Sequence, residues 1–245
     1  MSLLPNLDEE NRLRLKGYEF IAGIDEVGRG ALAGPVVASA VILPCSSYPS
    51  WFSLIRDSKE LSPRKREYLS GLIKQESLAV GIGIVPSQVI DAINILEATK
   101  LAMRQAVEKF SFEPQFLLID RLNLPQCPIA QKGITRGDKS CLSIACASII
   151  AKVTRDHIME ELDKLYPGYG LARHKGYGTR RHISRLQQLG PSPIHRMSFA
   201  PVRNVVVNCV SSPFRGGDYK GDPRPPHSLS GEGREGESNE PSRSR

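Results

Sequence analysis

Four acidic residues stand where the chain changes course. Asp25 and Glu26 are adjacent at the end of an apolar run, YEFIAGIDE. Asp120 closes a second run, FLLID, and Asp138 lies in RGDKS, ahead of a stretch rich in Ala, Ser and Cys. An acid at the end of a buried strand is costly unless its charge meets a cation. Carboxylate oxygens drawn from several elements are the ligands that hard cations such as Mg²⁺ or Mn²⁺ require. Two such ions ~4 Å apart can clamp the attacking and leaving oxygens of a phosphodiester displacement. The bland alternative makes each acid a solvated loop residue or a helix cap. Gly28-Arg29-Gly30 follows the acid pair directly. Its glycines let backbone amides approach a phosphate or a sugar hydroxyl, and Arg29 adds a charged fork. Taken alone, G-x-G is a tight turn. Neighbouring strand residues face opposite ways, so Asp25 and Glu26 diverge unless the chain kinks there, as these glycines would allow.

Other chemistry-bearing residues carry less. His174, His182 and His195 sit in a basic region with no cysteine or acid at zinc spacing, and read as structural or phosphate-facing. Cys141 and Cys146 lie on a small-residue helix and read as packing residues. Ser143 and Ser148 lack a nearby His-Asp arrangement, which argues against nucleophilic catalysis.

The elements that must position the acids follow from pattern. Apolar, β-branched runs predict strands over Tyr18–Glu26, Val36–Leu43, Leu78–Val85 and Phe116–Asp120. Segment 62–75 is a helix with Ser62 as N-cap and Pro63 at its first position. Segment 87–110 is a long helix; Ile90, Ile93, Leu101 and Val107 recur at roughly helical spacing. Residues 140–165 form another, packed closely on a sheet, and 178–189 a shorter basic helix. Strands followed by helices in this order give an α/β domain with a mixed sheet and a helical C-terminal part.

The chain has 245 residues, enough to bury a sizeable core without a disulfide or metal staple. Its five cysteines include no C-x-x-C pair, which excludes a secreted disulfide framework and a zinc ribbon and fits a reducing cytoplasm. The first residues, MSLLPNLDEE, carry acids where a signal peptide has bases, and no uncharged stretch is free of prolines over a membrane's width. Net charge is +7, unevenly placed: residues 1–120 carry −2, residues 121–212 carry +9 and residues 213–245 carry 0. From Tyr166 to Ser212 there is no acid at all. Nucleic acid is the natural partner of such a stretch, beside the plainer reading of a basic, solubilising surface.

Six segments, taken in order, resemble the successive motifs of bacterial ribonuclease HII: GIDEVGRGALAGPVVASAVIL, RDSKELSPRKRE, INILEATKLAM, GDKSCLSIACASIIAKVTRD, HKGYGTRRH and GPSPIHRMSFAPV. The likeness runs from about Tyr18 to about Val202. It implies a ribonuclease H-like fold, a five-stranded mixed sheet flanked by helices with a helical C-terminal extension. It implies an endoribonuclease that hydrolyses the RNA strand of RNA–DNA hybrids. Such an enzyme cuts 5′ of ribonucleotides embedded in duplex DNA by two-metal chemistry with Mg²⁺ or Mn²⁺, leaving 3′-hydroxyl and 5′-phosphate ends. By the same resemblance the catalytic and metal-holding acids fall on Asp25, Glu26, Asp120 and Asp138. Gly28, Arg29 and Gly30 would read the 2′-hydroxyl at the RNA–DNA junction, and Tyr177 would stack on the sugar of the following deoxynucleotide. The loop Asp57-Ser58-Lys59 would hold backbone phosphate. Two positions depart from the family's pattern. Arg121-Leu122-Asn123 follows the third acid where Gly-Asn is usual, and Met197 replaces the second of two arginines after the last histidine. The rivals are a structure-specific DNA nuclease of the same fold and a non-catalytic nucleic-acid-binding protein. The expected organisation is an N-terminal arm (1–17), a catalytic domain (18–212, its helical part from about 165) and a tail (213–245) too poor in apolar residues to fold. A cytoplasmic monomer without membrane attachment is expected.

Overall fold

The structure, a computed structural model, describes residues 4–45 and 49–211. The expected disordered tail, 213–245, lies outside the described residues. Strands β1 (Ile21–Val27), β2 (Val36–Ile42) and β3 (Ala79–Val85) form an antiparallel meander. On the other side of β1, β4 (Phe116–Asp120) and β5 (Ala130–Ile134) continue the sheet in parallel, giving the order β3-β2-β1-β4-β5. The helices are α1 (Asp8–Arg14), α2 (Pro63–Glu76), α3 (Ser87–Glu108), α4 (Gly137–Ser140), α5 (Leu142–Leu165), α6 (Leu171–His174), α7 (Arg180–Leu189) and α8 (Ala200–Ser211). The five-stranded mixed sheet and the helical C-terminal part implied by the resemblance are both present.

Both faces of the sheet are covered, so β2 is buried at every position. On one face Ala22, Ile24 and Ile42 pack with Ala98, Ala102 and Met103 of α3. On the other, Val41 packs with Leu69 and Ile73 of α2 and with Ala145 and Ile149 of α5. Strand alternation then sends Gly23 and Asp25 toward α5 and Ile24 and Glu26 toward the α3 side. At Gly23 a Cβ would collide with the backbone of Ser143. That close approach explains the small residues in the first half of α5. A third apolar cluster joins Leu32, Met159, Leu171, Leu186 and Val202, tying α6, α7 and α8 to α5 and to the loop after β1. Among the described residues no helix is long and apolar enough to cross a membrane.

Five elements differ from their sequence expectation. β1 stays regular through Val27, with Glu26 opposite Ala38 and Val27 opposite Val37, so the chain does not kink at the acid pair. The helix expected over 87–110 is broken at Asn94 (φ 66°, ψ 164°), whose Oδ1 accepts from the amides of Leu96 and Glu97 and restarts the helix. The helix expected from residue 140 begins at Leu142, after the separate turn α4 and an extended Cys141. β5 and α8 had no predicted counterpart in the pattern. Near the N-terminus α1 is seated on the start of α5: Glu10 is buried, and its Oε1 accepts from the Ser143 amide at 2.8 Å and the Cys141 thiol at 3.1 Å.

Candidate active site

β1 and β4 are parallel neighbours, in register to Ile24 and Ile119, so their C-terminal ends reach the same edge of the sheet. That delivers Asp25, Glu26 and Asp120 to one place, the carboxyl ends of adjacent strands, where open α/β sheets place their ligand crevices. Asp138 arrives from α4. The Gly137 amide donates to Asp120 Oδ1 at 2.8 Å and so tethers α4 to the end of β4. All four acids line one cleft of about 630 Å³, together with Ser58, Lys59, Arg121, Arg136, Lys139, Ser148, Lys152 and Tyr177. A hollow of about 450 Å³ near Phe110, Phe112 and Cys127 contains none of the candidate residues.

Each acid engages a protein group. Glu26 Oε1 accepts from Arg29 Nη1 at 3.3 Å, while its Oε2 is buried without a partner. Asp138 Oδ2 accepts from Lys59 Nζ at 3.1 Å. Burial holds the Asp25 carboxyl well above the usual carboxylate range, and the charges of Glu26 and Asp120 push the same way. Burial also raises Glu26, against the pull of Arg29, and raises Asp120 against the Gly137 amide. As the side chains stand, no three carboxylate, imidazole or thiol groups among the described residues are gathered closely enough to grip one ion. The donor set nonetheless suits a hard divalent cation. It is all oxygen, it is crowded with like charge, and it contains an orphaned buried oxygen. The cation now paired with Asp138 is movable, because 75% of the Lys59 side chain is exposed.

The Gly28-Arg29-Gly30 turn is held from behind by two buried arginines. Arg155 donates to the carbonyls of Pro35, Ala33 and Lys175, and Arg196 to those of Gly34 and Arg29. Gly28 has φ 94°, and a Cβ there would collide with the Arg155 guanidinium. Nothing lies within 4 Å of a Cβ built on Gly30, which leaves that backbone open. Tyr177 forms a bridge with Ala31, and the Leu32 amide donates to Gly176 at 2.8 Å, so the tyrosine and the glycine turn are one unit. The Arg155 guanidinium lies 5.4 Å from the Tyr177 ring centroid.

In the Asp57-Ser58-Lys59 loop only Lys59 has a largely exposed side chain, and its ammonium is paired with Asp138. Ser58 is buried, its hydroxyl 3.0 Å from that of Ser148. Asp57 accepts from the Lys59 amide and pairs with Lys139 at 3.2 Å; burial would raise its pKa, but these contacts hold it below the ordinary value. Sequence reasoning did not single out Arg136, Lys139, Lys152 or Arg155, and weighed Ser148 only as a nucleophile, a role it set aside. Its available signal was Lys139 beside Asp138, and Ser148 and Lys152 four residues apart on α5. Of the three histidines expected to be structural or phosphate-facing, His182 and His195 are buried with backbone and imidazole partners.

Comparison with known proteins decides the family. The sequence profile described as Ribonuclease HII matches residues 22–202. The chain belongs to the ribonuclease HII family. It is 53% identical to the ribonuclease HII of Dehalococcoides mccartyi (strain BAV1) over 204 residues, covering 83% of this chain and 96% of that protein. It resembles the crystal structure of the ribonuclease H2 from Pyrococcus horikoshii OT3 with a TM-score of 0.66 at 25% identity, over 78% of this chain and 99% of that one. Bst-RNase HIII, solved in complex with Mn²⁺, shares the fold at 17% identity and a TM-score of 0.61, over 77% and 70% of the two chains. Ribonucleases HII are metal-dependent hydrolases, and ribonuclease H substrates are RNA–DNA hybrids.

Within the ribonuclease HII pattern, the two departures now have places. Arg121 adopts φ 59°, a left-handed conformation that Gly or Asn takes readily, and its side chain lines the cleft. Met197 is 45% exposed and binds Asp91 through its backbone amide, whereas Arg196 is the fully buried clamp of the glycine turn. The arginine that the turn depends on is therefore present.

Proposed function

We propose that this chain is an endoribonuclease that hydrolyses the RNA strand of RNA–DNA hybrids. We infer that it also cuts 5′ of ribonucleotides embedded in duplex DNA, as a monomer, leaving 3′-hydroxyl and 5′-phosphate ends. The observation that carries this reading is the convergence of Asp25, Glu26, Asp120 and Asp138 on one cleft that Tyr177 also lines, with Tyr177 joined through its bridge with Ala31 to the Gly28-Arg29-Gly30 turn. Asp25, Glu26, Asp120 and Asp138 would hold Mg²⁺ or Mn²⁺. Bound there, divalent ions supply a nucleophilic water at neutral pH and neutralise charge on the phosphate.

The protein's own groups do the rest. The open backbone at Gly30 admits a ribose edge, and a 2′-hydroxyl can hydrogen-bond to peptide groups of the turn. Tyr177, 36% exposed, offers a ring face to the next sugar, where a bare deoxyribose packs and a hydroxyl would crowd it. Lys59 supplies a mobile cation for backbone phosphate, and Arg121, Arg136, Lys139 and Lys152 add positive charge along the cleft. Ser58 acts through Ser148, which hydrogen-bonds Asp25, rather than on substrate.

The test is cleavage, with Mg²⁺ or Mn²⁺, of a DNA duplex containing one ribonucleotide, beside an RNA–DNA hybrid and an all-DNA duplex. Cleavage of the first two alone supports the reading. Cleavage of all three would identify a DNA nuclease of the same fold, and binding without cleavage a non-catalytic nucleic-acid-binding protein.

A further inference from the structure

His182 and His195 are buried behind Tyr177 and touch no substrate-facing surface. The Ser192 amide donates to His195 Nδ1 at 3.0 Å. A backbone N–H has no alternative role, so that nitrogen is an acceptor and the proton of a neutral ring sits on Nε2. His195 Nε2 lies 3.1 Å from His182 Nε2, which must then accept. The His182 proton is left on Nδ1, 3.0 Å from the Tyr177 carbonyl oxygen, to which it donates. One fixed amide thus dictates both tautomers. A second proton on either ring would set N–H against N–H and break the chain.

We propose that His182 and His195 form a tautomer-locked, doubly neutral relay that positions Tyr177 for recognition of the nucleotide beside the cleavage site. The relay rests on the reading of Tyr177 given above. The same carbonyl accepts from the Thr179 amide at 2.8 Å, and the Tyr177 amide donates to the His174 carbonyl at 3.0 Å, so both peptide units flanking the ring are fixed. Besides the Ser192 hydroxyl, 2.9 Å from His195 Nδ1, the groups facing the pair are aromatic rings and two arginines. His174 of α6 stacks on His182 with ring centroids 4.3 Å apart. Tyr169, before α6, lies 4.8 Å from His195. Arg196 follows His195 in the chain, and Arg155 of α5 backs the Tyr177 ring. Neither imidazole has a carboxylate partner among the described residues. Burial lowers the pKa of both rings, consistent with the neutral pair. The relay explains why these side chains are histidine: a hydrocarbon of the same size would fill the space but would leave the carbonyl with one donor fewer.

Two measurements test it. Long-range ¹⁵N–¹H spectra of the intact, wild-type protein at pH 7 should show His182 as the neutral Nδ1–H tautomer and His195 as the neutral Nε2–H tautomer. A protonated ring, or His195 with its proton on Nδ1, overturns the relay. Cleavage kinetics on a duplex with one ribonucleotide against one with a run of four then test positioning. His182→Leu should lose roughly five- to tenfold of the preference for the single ribonucleotide, about what one buried hydrogen bond can hold. Its KM should stay near that of wild type and its Mg²⁺ dependence should not change. His182→Asn keeps an N–H at the place of Nδ1 and should recover most of the preference. If His182→Leu folds and keeps the wild-type preference, or if His182→Asn is no better than a defective His182→Leu, the positioning role is overturned. Tyr177→Ala separates the two readings. An unchanged preference in that variant refutes the assignment of Tyr177 itself, whatever the spectra show, and with it any positioning through Tyr177.

Discussion

Arg121 holds a conformation that its side chain disfavours, at the point where the chain leaves β4 beside Asp120. A left-handed non-glycine residue costs on the order of 1 kcal/mol. Arg121→Gly removes that strain together with a cation that lines the cleft. Part of the gain is offset by the greater freedom of glycine in the unfolded chain. The variant should therefore melt at or slightly above the wild-type temperature while binding hybrid less tightly, with a salt dependence shallower by about one phosphate contact. Unchanged binding across a salt series would show that Arg121 does not reach the nucleic acid. Asp120→Asn should behave differently: on the proposed reading it removes a metal donor and a negative charge near phosphate, so it should lose metal-dependent turnover while retaining hybrid binding. Equal turnover would exclude Asp120 as a metal ligand. The acids stood out in the sequence because each lies at the end of a predicted element, and the ordered motifs around them, not any single acid, set aside the reading of solvated loop residues. Arg155 and Arg196 were not legible. An arginine in a helix or a polar loop looks solvated, and only the fold shows that both are fully buried and bonded to backbone carbonyls.

At the scale of elements, α5 carries the most. It covers β1 and β2, supplies Ser148 to Asp25 and Arg155 to the glycine turn, and begins just after Asp138. Its first turn is capped from a distant part of the chain: Glu10 on α1 accepts from the Ser143 amide, at the positive end of the helix dipole. Glu10→Ala should destabilise the protein by about 1–2 kcal/mol, the usual cost of losing an N-terminal cap. Amide exchange should rise first at Ser143 and Ile144. A melting temperature equal to wild type would mean that α1 contributes nothing to the start of α5. Nothing local in the sequence announces this contact, since 133 residues separate its partners. The same reasoning separates legible elements from illegible ones. FLLID reads as a strand because both faces of β4 are covered. AQKGI does not, because β5 is an edge strand with mostly exposed side chains and no apolar alternation. The break at Asn94 is invisible because the apolar spacing of α3 continues across it. In α8 the run Val205-Val206-Val207 carries strand propensity that the helix overrides.

For the whole molecule, the buried acids and the buried histidines set opposing pH dependences. Asp25, Glu26 and Asp120 have carboxyls raised by burial and by one another, so in the metal-free protein the folded state holds protons that the unfolded chain has released. Stability from these groups therefore rises as pH falls from neutrality through their raised values, and levels off near the ordinary carboxylate range. His195 runs the other way, lowered to about 4 from 6.5 by burial and by His182. Between those values the unfolded chain takes up a proton that the fold refuses, so acidification costs about 3 kcal/mol through this ring. Asp25→Asn separates the two effects. At pH 7.5 without metal it should stabilise the protein by about 1–2 kcal/mol, as relief of a strained functional site often does. That gain should shrink on acidification, because wild-type Asp25 then becomes neutral too. Divalent metal should reverse the order: an ion that binds only the folded protein stabilises it by about 2.7 kcal/mol at 100 times Kd, and on the proposed reading the variant lacks a ligand. Metal binding to the wild type should release protons and weaken as pH falls, since the acids must ionise to bind. Thermal melts of both proteins between pH 5 and 8, with EDTA and with Mg²⁺, check all of this. If Asp25→Asn melts below the wild type at pH 7.5 in EDTA, the Asp25 carboxylate is stabilised by its neighbours rather than held there at a cost.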